Sequence, residues 1–422
     1  PTFSDIESGR VNVSDLRPVN VMQLLGRAPV PPLEDLLNAA VRDKVVMITG
    51  AGGSIGSELS RMTSGLGPRK IILFEVSETA LYAVERELRE LEAAFNAGLT
   101  DIETDREGTV YETDLSRAGA KFPEIVAVLG SVTSADDLAR VFSNEQVDVI
   151  YHAAAYKHVP IVEDNMAAGV RNNSIGTLRL AEAANAAKVD QFIMISTDKA
   201  VRPTNIMGAS KRLAELVLRS LARDPVTHTR FSMVRFGNVL GSSGSVVPLF
   251  HKQIAAGGPI TVTHPDILRY FMSIPEAVQL VIQSGAMAEQ GALYVLDMGE
   301  QVKIVDLAKA MINLAGLSER TPDNPDGDIE ISFVGLRPGE KLYEELLIDG
   351  NSEKTRHPSI GRQIEPLPEL DALFRGLEQL EQAFTSSDAN ERVKHLITEL
   401  VSDYHPPQHH SDDRVIPFRR AV

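Results

Sequence analysis

The residues best suited to catalysis lie in one short segment after an apolar run. Thr197, Asp198 and Lys199 directly follow the strand pattern Gln191–Ile195, and Lys211 lies in the next helical pattern. An acid beside a potential base suits the elimination of water, because the base can remove a proton from carbon while the acid protonates the departing hydroxyl. The pattern therefore favours Lys199 as the base and Asp198 as the acid, with a solvated turn as the alternative.

These two roles require particular protonation states. Lys199 must be neutral near pH 7, and we expect the positive charge of Lys211 to lower its pKa. Asp198 must hold a proton until transfer, so we expect burial to raise its pKa. Met207 has no titratable proton and cannot serve as the base towards an alcohol. We expect Thr197 to hydrogen-bond that alcohol, with water or Asp198 relaying its proton.

A glycine-rich turn upstream indicates dinucleotide binding. The apolar run Lys44–Thr49 reads as a buried parallel strand, and a helical pattern follows the glycines. Gly50, Gly53 and Gly56 permit a tight turn, close approach of the backbone to a pyrophosphate, and close packing of the helix on the strand. The predicted cofactor-binding residues of the turn are Gly50, Gly53, Ser54, Ile55 and Gly56.

The next strand pattern specifies which dinucleotide is expected. The run Lys70–Phe74 ends at Glu75, where a carboxylate can bind both ribose hydroxyls and would repel a 2′-phosphate. We therefore predict NAD rather than NADP. Lys211 is expected to hold the nicotinamide ribose, and the charge of the nicotinamide ring should add to that of Lys211 in lowering the pKa of Lys199.

Composition excludes several classes of function. The chain has 422 residues, of which 43% are hydrophobic, which is enough for a large core. Its net charge of -16 argues against a nucleic-acid partner, since phosphate contacts need clustered lysine and arginine. It contains no cysteine, and its histidines form no metal-binding spacing, so we predict no metal site.

Strand and helix patterns alternate along the chain, as is typical of α/β proteins. We predict a Rossmann-like, doubly wound parallel sheet with a smaller C-terminal α/β substrate-binding domain, and we expect Ala292–Leu296 to close the sheet. The predicted organisation is a lead-in at 1–43, an NAD-binding domain at 44–235 with an insertion at 92–122 and a late strand near 292–298, a mainly substrate-binding domain at 236–366, C-terminal helices at 367–405 for core packing or self-association, and a polar tail at 406–422.

Five stretches of the chain carry a resemblance to a known family. They are Thr49–Gly56, His152–Pro160, Asn172–Thr177, Ser196–Asn205 and Arg337–Leu342. Over about residues 15–365 the chain resembles the extended short-chain dehydrogenases/reductases, specifically the nucleotide-sugar 4,6-dehydratases of the membrane-anchored polysaccharide-biosynthesis family. The resemblance implies UDP-N-acetylglucosamine or a close relative as substrate, tightly held NAD, and a 4-keto-6-deoxy sugar nucleotide as product. Oxidation at C4, loss of water across C5 and C6, and return of hydride to C6 would form it.

Two positions depart from the common pattern of such enzymes. Met207 stands where short-chain dehydrogenases carry a catalytic tyrosine, and in this it resembles the branch that retains configuration at C5. Ser131 stands where related enzymes commonly place an aspartate near the adenine, although a hydroxyl can still donate or accept there. The resemblance also implies cofactor contacts at Ala153 and Ala154.

The residues predicted to bind substrate are polar or charged residues near strand ends and in the Arg337–Leu342 stretch. Asparagine can bind a phosphate, arginine offers a planar fork for a diphosphate, and glutamate can accept from a ribose hydroxyl; for each residue a salt bridge or cap is the alternative. They are Lys157, His158, Asn173, Asn238, Arg269, Arg337 and Glu340, of which Asn173 is also expected to be structural.

Other functions and wider assembly remain open at this point. A sugar-nucleotide C4 epimerase or dehydrogenase, a catalytically silent NAD-binding regulator, and a structural subunit are the alternatives to a dehydratase. We expect a homo-oligomer. Because the chain begins at Pro1, we also expect a preceding segment that could carry transmembrane helices and hold a cytoplasmic catalytic part at the bacterial inner membrane.

Overall fold

The computed structural model describes residues 30–98, 121–348 and 352–406. The strands, in chain order, are β1 (Val45–Thr49), β2 (Lys70–Glu75), β3 (Glu124–Leu129), β4 (Val149–His152), β5 (Gln191–Ile195), β6 (Arg230–Arg235), β7 (Asn238–Val239), β8 (Ile260–Val262), β9 (Leu268–Arg269), β10 (Phe271–Met272), β11 (Ala292–Leu296), β12 (Val302–Lys303), β13 (Glu319–Arg320), β14 (Ile329–Phe333), β15 (Glu353–Lys354) and β16 (Ile360–Gln363).

The helices alternate with these strands over most of the chain. They are α1 (Glu34–Val41), α2 (Ser54–Ser64), α3 (Glu78–Asn96), α4 (Ala135–Asn144), α5 (Val159–Asp164), α6 (Met166–Val170), α7 (Gly176–Ala186), α8 (Ile206–Leu221), α9 (Val246–Ala255), α10 (Ile274–Ala286), α11 (Ile304–Leu314), α12 (Leu370–Ala383) and α13 (Ala389–Leu400), with a π-helical turn at Arg171–Ile175 and a 3₁₀ turn at Asp198–Ala200.

The main sheet has the strand order β3-β2-β1-β4-β5-β6-β11-β16-β15. Strands β1 to β6 and β11 are parallel, so their carboxyl ends share one edge of the sheet. The order reverses between β1 and β4, and such a switch point opens a crevice in which ligands bind. The predicted doubly wound α/β fold is confirmed.

Alternation of side chains along the strands builds a core on each face of this sheet. On one face Ile48 and its neighbours pack with α1, α2, α3 and α10. On the other, Met47 and its neighbours pack with α4, α7 and α8. Because successive side chains in a strand point to opposite faces, an uninterrupted apolar run such as that at 45–48 is what a strand covered on both faces requires.

The far edge of the sheet differs from the sequence-based expectation. Ala292–Leu296 does not close the sheet, because β16 pairs with it in antiparallel fashion and β15 extends the edge further. Short strands separated by loops, such as Ile360–Gln363, lack the apolar run that makes the parallel strands recognisable. Residues 353–363, assigned from the sequence to the substrate-binding region, therefore belong to the main sheet.

A smaller body packs beside the carboxyl ends of β5 and β6. Strands β13, β14 and β8 form a parallel sheet, which packs with α9 and α11 around a separate apolar cluster. Two further strand pairs, β7 with β10 and β9 with β12, connect this body to the main sheet. The predicted smaller α/β unit is thus present, built from segments between the late strands.

The segments outside the two bodies have more structure than their composition suggested. In the predicted lead-in, α1 packs on α10, where Leu33 N donates to Gln283 Oε1 at 2.8 Å. In the predicted insertion at 92–122, helix α3 continues to Asn96, and residues 99–120 lie outside the described residues. The predicted C-terminal helices cover α8, with the Gly376 backbone against Leu400. Their buried faces therefore have the core-packing role that was expected.

A buried ion network ties these C-terminal segments to the sheet. Arg235, at the end of β6, is 0% exposed and donates to Glu215 of α8 at 2.5 Å and to Glu365 at 2.7 Å. Arg212 also pairs with Glu365. Burial alone would raise the pKa of Glu215, but Arg235 outweighs it and lowers that pKa to about 2. Glu215 also accepts from Ser196 Oγ at 2.6 Å, which fixes the residue before Thr197.

Candidate active site

The turn between β1 and α2 has no space for a side chain at Gly50 or Gly56. Gly50 has φ of +67°, and a Cβ there would lie 2.7 Å from the backbone nitrogen of Ala154. A Cβ on Gly56 would overlap the carbonyl oxygen of Gly50. Gly53 precedes α2 as its N-cap, so the first amides of that helix point out of the turn. The turn therefore has the shape that a pyrophosphate needs.

We expect Gly56→Ala to destabilise the protein by roughly 1–3 kcal/mol, because α2 must move away from β1 to admit the methyl group. Gly53→Ala is the matched control, since a Cβ there meets only the Gly50 carbonyl oxygen, at 3.3 Å. Thermal unfolding of both variants measures the difference. Equal melting temperatures for the two variants would show that the close contact at Gly56 does not determine the stability of the protein.

The acid predicted for the cofactor ribose stands at the edge of this turn. Glu75 ends β2, and its Oε2 accepts from Gly52 N at 3.0 Å while Oε1 accepts from the amides of Val76 and Ser77 at 3.0 Å. Three amide donors hold the carboxylate in place beside the glycine turn. Ser131 follows the neighbouring strand β3, where its amide donates to Asp137 Oδ2 at 3.0 Å.

A cavity of about 1000 Å³ extends from the glycine turn across the ends of β4, β5 and β6 to the smaller body. It brings together most of the residues predicted from the sequence. Its walls include Gly53, Ser54, Ile55, Gly56, Ala153, Lys157, His158, Thr197, Lys199, Met207, Lys211, Asn238, Arg269, Arg337 and Glu340. Gly50, Glu75, Ser131, Ala154, Asn173 and Asp198 are not among its lining residues.

The 3₁₀ turn after β5 joins the catalytic candidates through one carboxylate oxygen. Asp198 Oδ1 accepts from Thr197 Oγ1 at 2.9 Å and from Lys199 Nζ at 2.9 Å. Lys199 Nζ also donates to Asn238 Oδ1 at 3.1 Å. Asp198 is fully buried, and its Oδ2 has no hydrogen-bond partner within the described part of the chain. A hydroxyl, an acid and an amine are thus connected by hydrogen bonds at the cavity wall.

The structure does not show the expected lowering of the Lys199 pKa. Burial lowers that pKa, but the carboxylates of Asp198 and Glu344 outweigh burial and raise it. Lys211 lies in α8 one turn after Met207, and it is Lys211 whose pKa burial lowers, to about 8, against an opposing effect of Glu215. Sequence reasoning assigned the shift to the wrong lysine because it did not include the acids around Lys199.

The two asparagines predicted to bind substrate both form hydrogen bonds with protein groups. Asn173, in the π-helical turn, exchanges hydrogen bonds with the backbone of Tyr156 at 2.8 and 3.0 Å and donates to Ser210 Oγ at 3.0 Å. It is fully buried and holds the loop after β4, so its predicted substrate contact is not what the structure shows. Asn238, predicted to bind a phosphate, has its amide oxygen on Lys199 Nζ.

The predicted diphosphate ligands lie on the wall formed by the smaller body. Arg269 is buried and donates to the backbone of Lys341 at 2.9 Å and to Glu340 Oε1 at 3.3 Å. The Arg337 side chain is exposed, and its backbone amide donates to Glu340 Oε2 at 3.1 Å. Glu340 therefore orders this segment, while the side chain of Arg337 is exposed.

One acid of the site could not be identified from the sequence. Glu344 is 4% exposed, lines the cavity, and has its Oε1 at 4.0 Å from both Lys199 Nζ and Arg269 Nε. It stands beside Glu345, which pairs with Arg202 closer to the surface. Two adjacent acids in a charged segment carry no periodic signal that would tell which one is buried.

The family of the chain follows from comparison with known proteins. The family described as polysaccharide biosynthesis protein matches residues 46–109 and 99–365. The capsular polysaccharide biosynthesis protein CapD of Staphylococcus aureus is 46% identical over 347 residues, which cover 82% of this chain and 52% of that protein. The chain therefore spans about half the length of this relative.

Solved structures show the same architecture. Pen from Bacillus thuringiensis is 30% identical, with a TM-score of 0.63 over 78% of this chain and 91% of that one. DesIV of Streptomyces venezuelae, a dTDP-glucose 4,6-dehydratase solved with NAD bound, is 18% identical with a TM-score of 0.56, covering 80% of this chain and 97% of that one.

The fold is that of the extended short-chain dehydrogenases/reductases. The chain belongs to the polysaccharide biosynthesis protein family.

Proposed function

We propose that this chain is the catalytic part of an NAD-dependent UDP-N-acetylglucosamine 4,6-dehydratase that retains configuration at C5. The observation that carries the proposal is the hydrogen-bonded series Thr197, Asp198 and Lys199. Thr197 and Lys199 line the cavity together with Met207, a methionine where an alcohol-oxidising relative needs a tyrosine. Elimination of water needs an acid and a base side by side, as Asp198 and Lys199 are. Epimerisation at C4, in contrast, requires no base at C5.

The residues of the chain fit NAD. The first amides of α2 suit a pyrophosphate, and the turn before them packs closely on the protein backbone because Gly50 and Gly56 have no Cβ. Glu75 is held next to the turn for a ribose, and Lys211 lies on the cavity wall for the nicotinamide ribose. When bound, NAD would accept the hydrogen of C4 and return it to C6. We propose NAD rather than NADP because the carboxylate of Glu75 would repel a 2′-phosphate.

The proton path follows from the hydrogen bonds of the site. Thr197 Oγ1 donates to Asp198 Oδ1, so a C4 hydroxyl that donates to Thr197 can pass its proton to this carboxylate. Asp198 then holds the proton that the C6 hydroxyl needs in order to leave as water. Lys199 removes the C5 proton. Oxidation at C4 thereby protonates Asp198, which is the acid that the elimination uses.

The substrate assignment rests on cations in a chain that is acidic overall. Arg269, Arg337 and Lys157 line the cavity, and two planar guanidinium groups suit the oxygens of a diphosphate. His158 lies beside Lys157, against Gly244, and also lines the cavity. The proposed sugar, N-acetylglucosamine, comes from the family resemblance rather than from a contact.

The test is incubation of the purified protein with UDP-N-acetylglucosamine in deuterated water, followed by proton NMR. We expect a new 6-methyl signal, deuterium at C5, and no net reduction of added NAD. Reduction of the ketone then reveals whether C5 has kept its configuration. Conversion to a C4 epimer without a methyl signal would establish the epimerase alternative, and binding without any conversion would favour a silent regulator or a different hexose.

Assembly and location are part of this proposal. We propose a homo-oligomer at the cytoplasmic face of a bacterial membrane, and light scattering of the purified chain measures the first. Within the described residues, no helix is both long enough and apolar enough to cross a bilayer.

A further inference from the structure

Glu344 is a buried acid that the proposed reaction has not yet used. Its Oε1 lies 4.0 Å from Lys199 Nζ, which also donates to Asp198 Oδ1 at 2.9 Å. Its Oε2 is buried and has no hydrogen-bond partner among the described residues. Buried carboxylate oxygens are normally satisfied, so an oxygen left free beside an ammonium group calls for a reason.

The proposed reaction leaves one proton without a destination. Lys199 begins the cycle as an ammonium paired with the Asp198 carboxylate. Once Asp198 has taken the C4 proton through Thr197, it cannot accept another from Lys199. Lys199 must nevertheless become neutral before it can remove the proton from C5.

We propose that Glu344 accepts the proton of Lys199 when Asp198 becomes protonated, and returns it at the end of each turnover. This inference rests on the proposed function. The transfer converts Lys199 ammonium and Glu344 carboxylate into a neutral amine and a neutral acid. Lys199 then takes the C5 proton while Asp198 gives its proton to the departing C6 hydroxyl. Return of a proton from Lys199 to C5 and of one from Glu344 to Lys199 restores the starting state.

The surroundings of both groups favour this transfer. Burial lowers the pKa of Lys199, and the opposing contribution of Asp198 disappears when that carboxylate is neutralised. Burial also raises the pKa of Glu344, against the lowering effects of Lys199, Arg269 and Lys341, and Asp198 adds to the rise while it is ionised. Filling the cavity with substrate removes water from both groups and strengthens the preference for the neutral pair.

Geometry also permits the transfer. The 4.0 Å separation must shorten by about 1 Å, and contacts of this kind commonly tighten when a site is occupied. Asn238 and Asp198 both accept hydrogen bonds from the ammonium group and hold it in place, so Glu344 is the group that must move. The backbone of Glu344 is fixed by Gln301, whose Nε2 donates to its carbonyl at 2.7 Å, which leaves the side chain as the moving part.

The test compares Glu344→Gln with Glu345→Gln, which removes a carboxylate of the same segment that pairs with Arg202. Formation of the 6-methyl product is followed from about pH 7 to about pH 9, with melting temperature and nucleotide-sugar affinity as measures of folding. At pH 7 we expect Glu344→Gln to be slower by about 100-fold or more at unchanged affinity, and Glu345→Gln to match the wild type. The deficit should shrink as pH rises, because Lys199 can then lose its proton to solvent.

A structural role for Glu344 would not produce such a recovery. A Glu344→Gln deficit that stays constant across the pH range, or an undiminished rate at pH 7, would overturn the inference. If Glu344→Gln does not fold, Glu344→Asp keeps a carboxylate, and its pH profile should follow that of the wild type at a lower rate; a profile that climbs with pH would count against the inference. Absence of product from the wild-type protein would contradict the proposed function itself. Failure of the proposed function can thus be distinguished from failure of the inference about Glu344.

Discussion

Replacing Lys199 by methionine is expected to lower formation of the 4-keto-6-deoxy product by roughly 10³- to 10⁴-fold, at the upper end of what a single general base contributes. Methionine keeps the length of the apolar stem, so the change removes the amine with little loss of packing. The initial rate of 6-methyl formation measures the effect. Exchange of the C5 proton with deuterated solvent should fall in parallel, because the same amine would carry both processes.

The matched control is Lys309→Met, which removes an exposed lysine that pairs with Glu319 on the smaller body. It should leave the rate within about twofold of the wild type, as surface ion pairs contribute little. Undiminished exchange at C5 in Lys199→Met would assign the base to another group, and Lys211, with a pKa of about 8, is then the candidate.

The second large effect is expected on stability, from Glu215→Gln. Glu215 neutralises Arg235, and Arg235 is 0% exposed, so the variant leaves a buried guanidinium with only part of its counter-charge. Breaking a buried pair on one side typically costs about 3–5 kcal/mol. Denaturant unfolding measures the free energy, and Glu378→Gln, on the exposed face of α12, is the control that should stay near zero.

The pair of Glu215 and Arg235 also makes the stability of the protein depend on pH. The pKa of Glu215 is lowered to about 2 in the folded protein, whereas an unfolded glutamate titrates near 4.3. Its contribution to stability is therefore complete above about pH 4.3 and is lost as pH falls towards 2. Acid unfolding of the wild type should be steeper over this interval than that of Glu215→Gln. Parallel acid transitions of the two proteins would contradict the lowered pKa.

The parts of the fold that sequence predicted well are those with a regular period. The buried strands β1, β2 and β5 are mainly apolar runs bounded by turns. The conformation of the glycine turn follows from the spacing of its glycines, so it could also be predicted. Strand β16 was missed as a sheet member because four residues in an irregular segment give no period. Its place depends on pairing with β11, which is a contact between distant parts of the chain.

The candidate site shows the same division. Thr197, Asp198 and Lys199 are adjacent in sequence, so their proximity could be predicted from the residues alone. The direction of the Lys199 pKa shift could not, because it depends on burial, on the charge of Asp198 and also on Glu344, a residue more than a hundred positions away in the chain. Likewise Asn173 and Asn238 have the residue type of a ligand contact, but their partners are protein groups that only the tertiary structure brings near.

The buried network at Glu365 bears on where this protein can be cut. The family match ends at residue 365, whereas α12 and α13 continue to Leu400 and cover the outer side of α8. Helix α8 carries Met207 and Lys211 on the cavity side. A chain trimmed to the matched region would thus end on a residue of the Arg235 network and expose the apolar back of a catalytic helix. The unit for expression is therefore the one defined by folding, reaching at least to Tyr404, and not the one defined by homology.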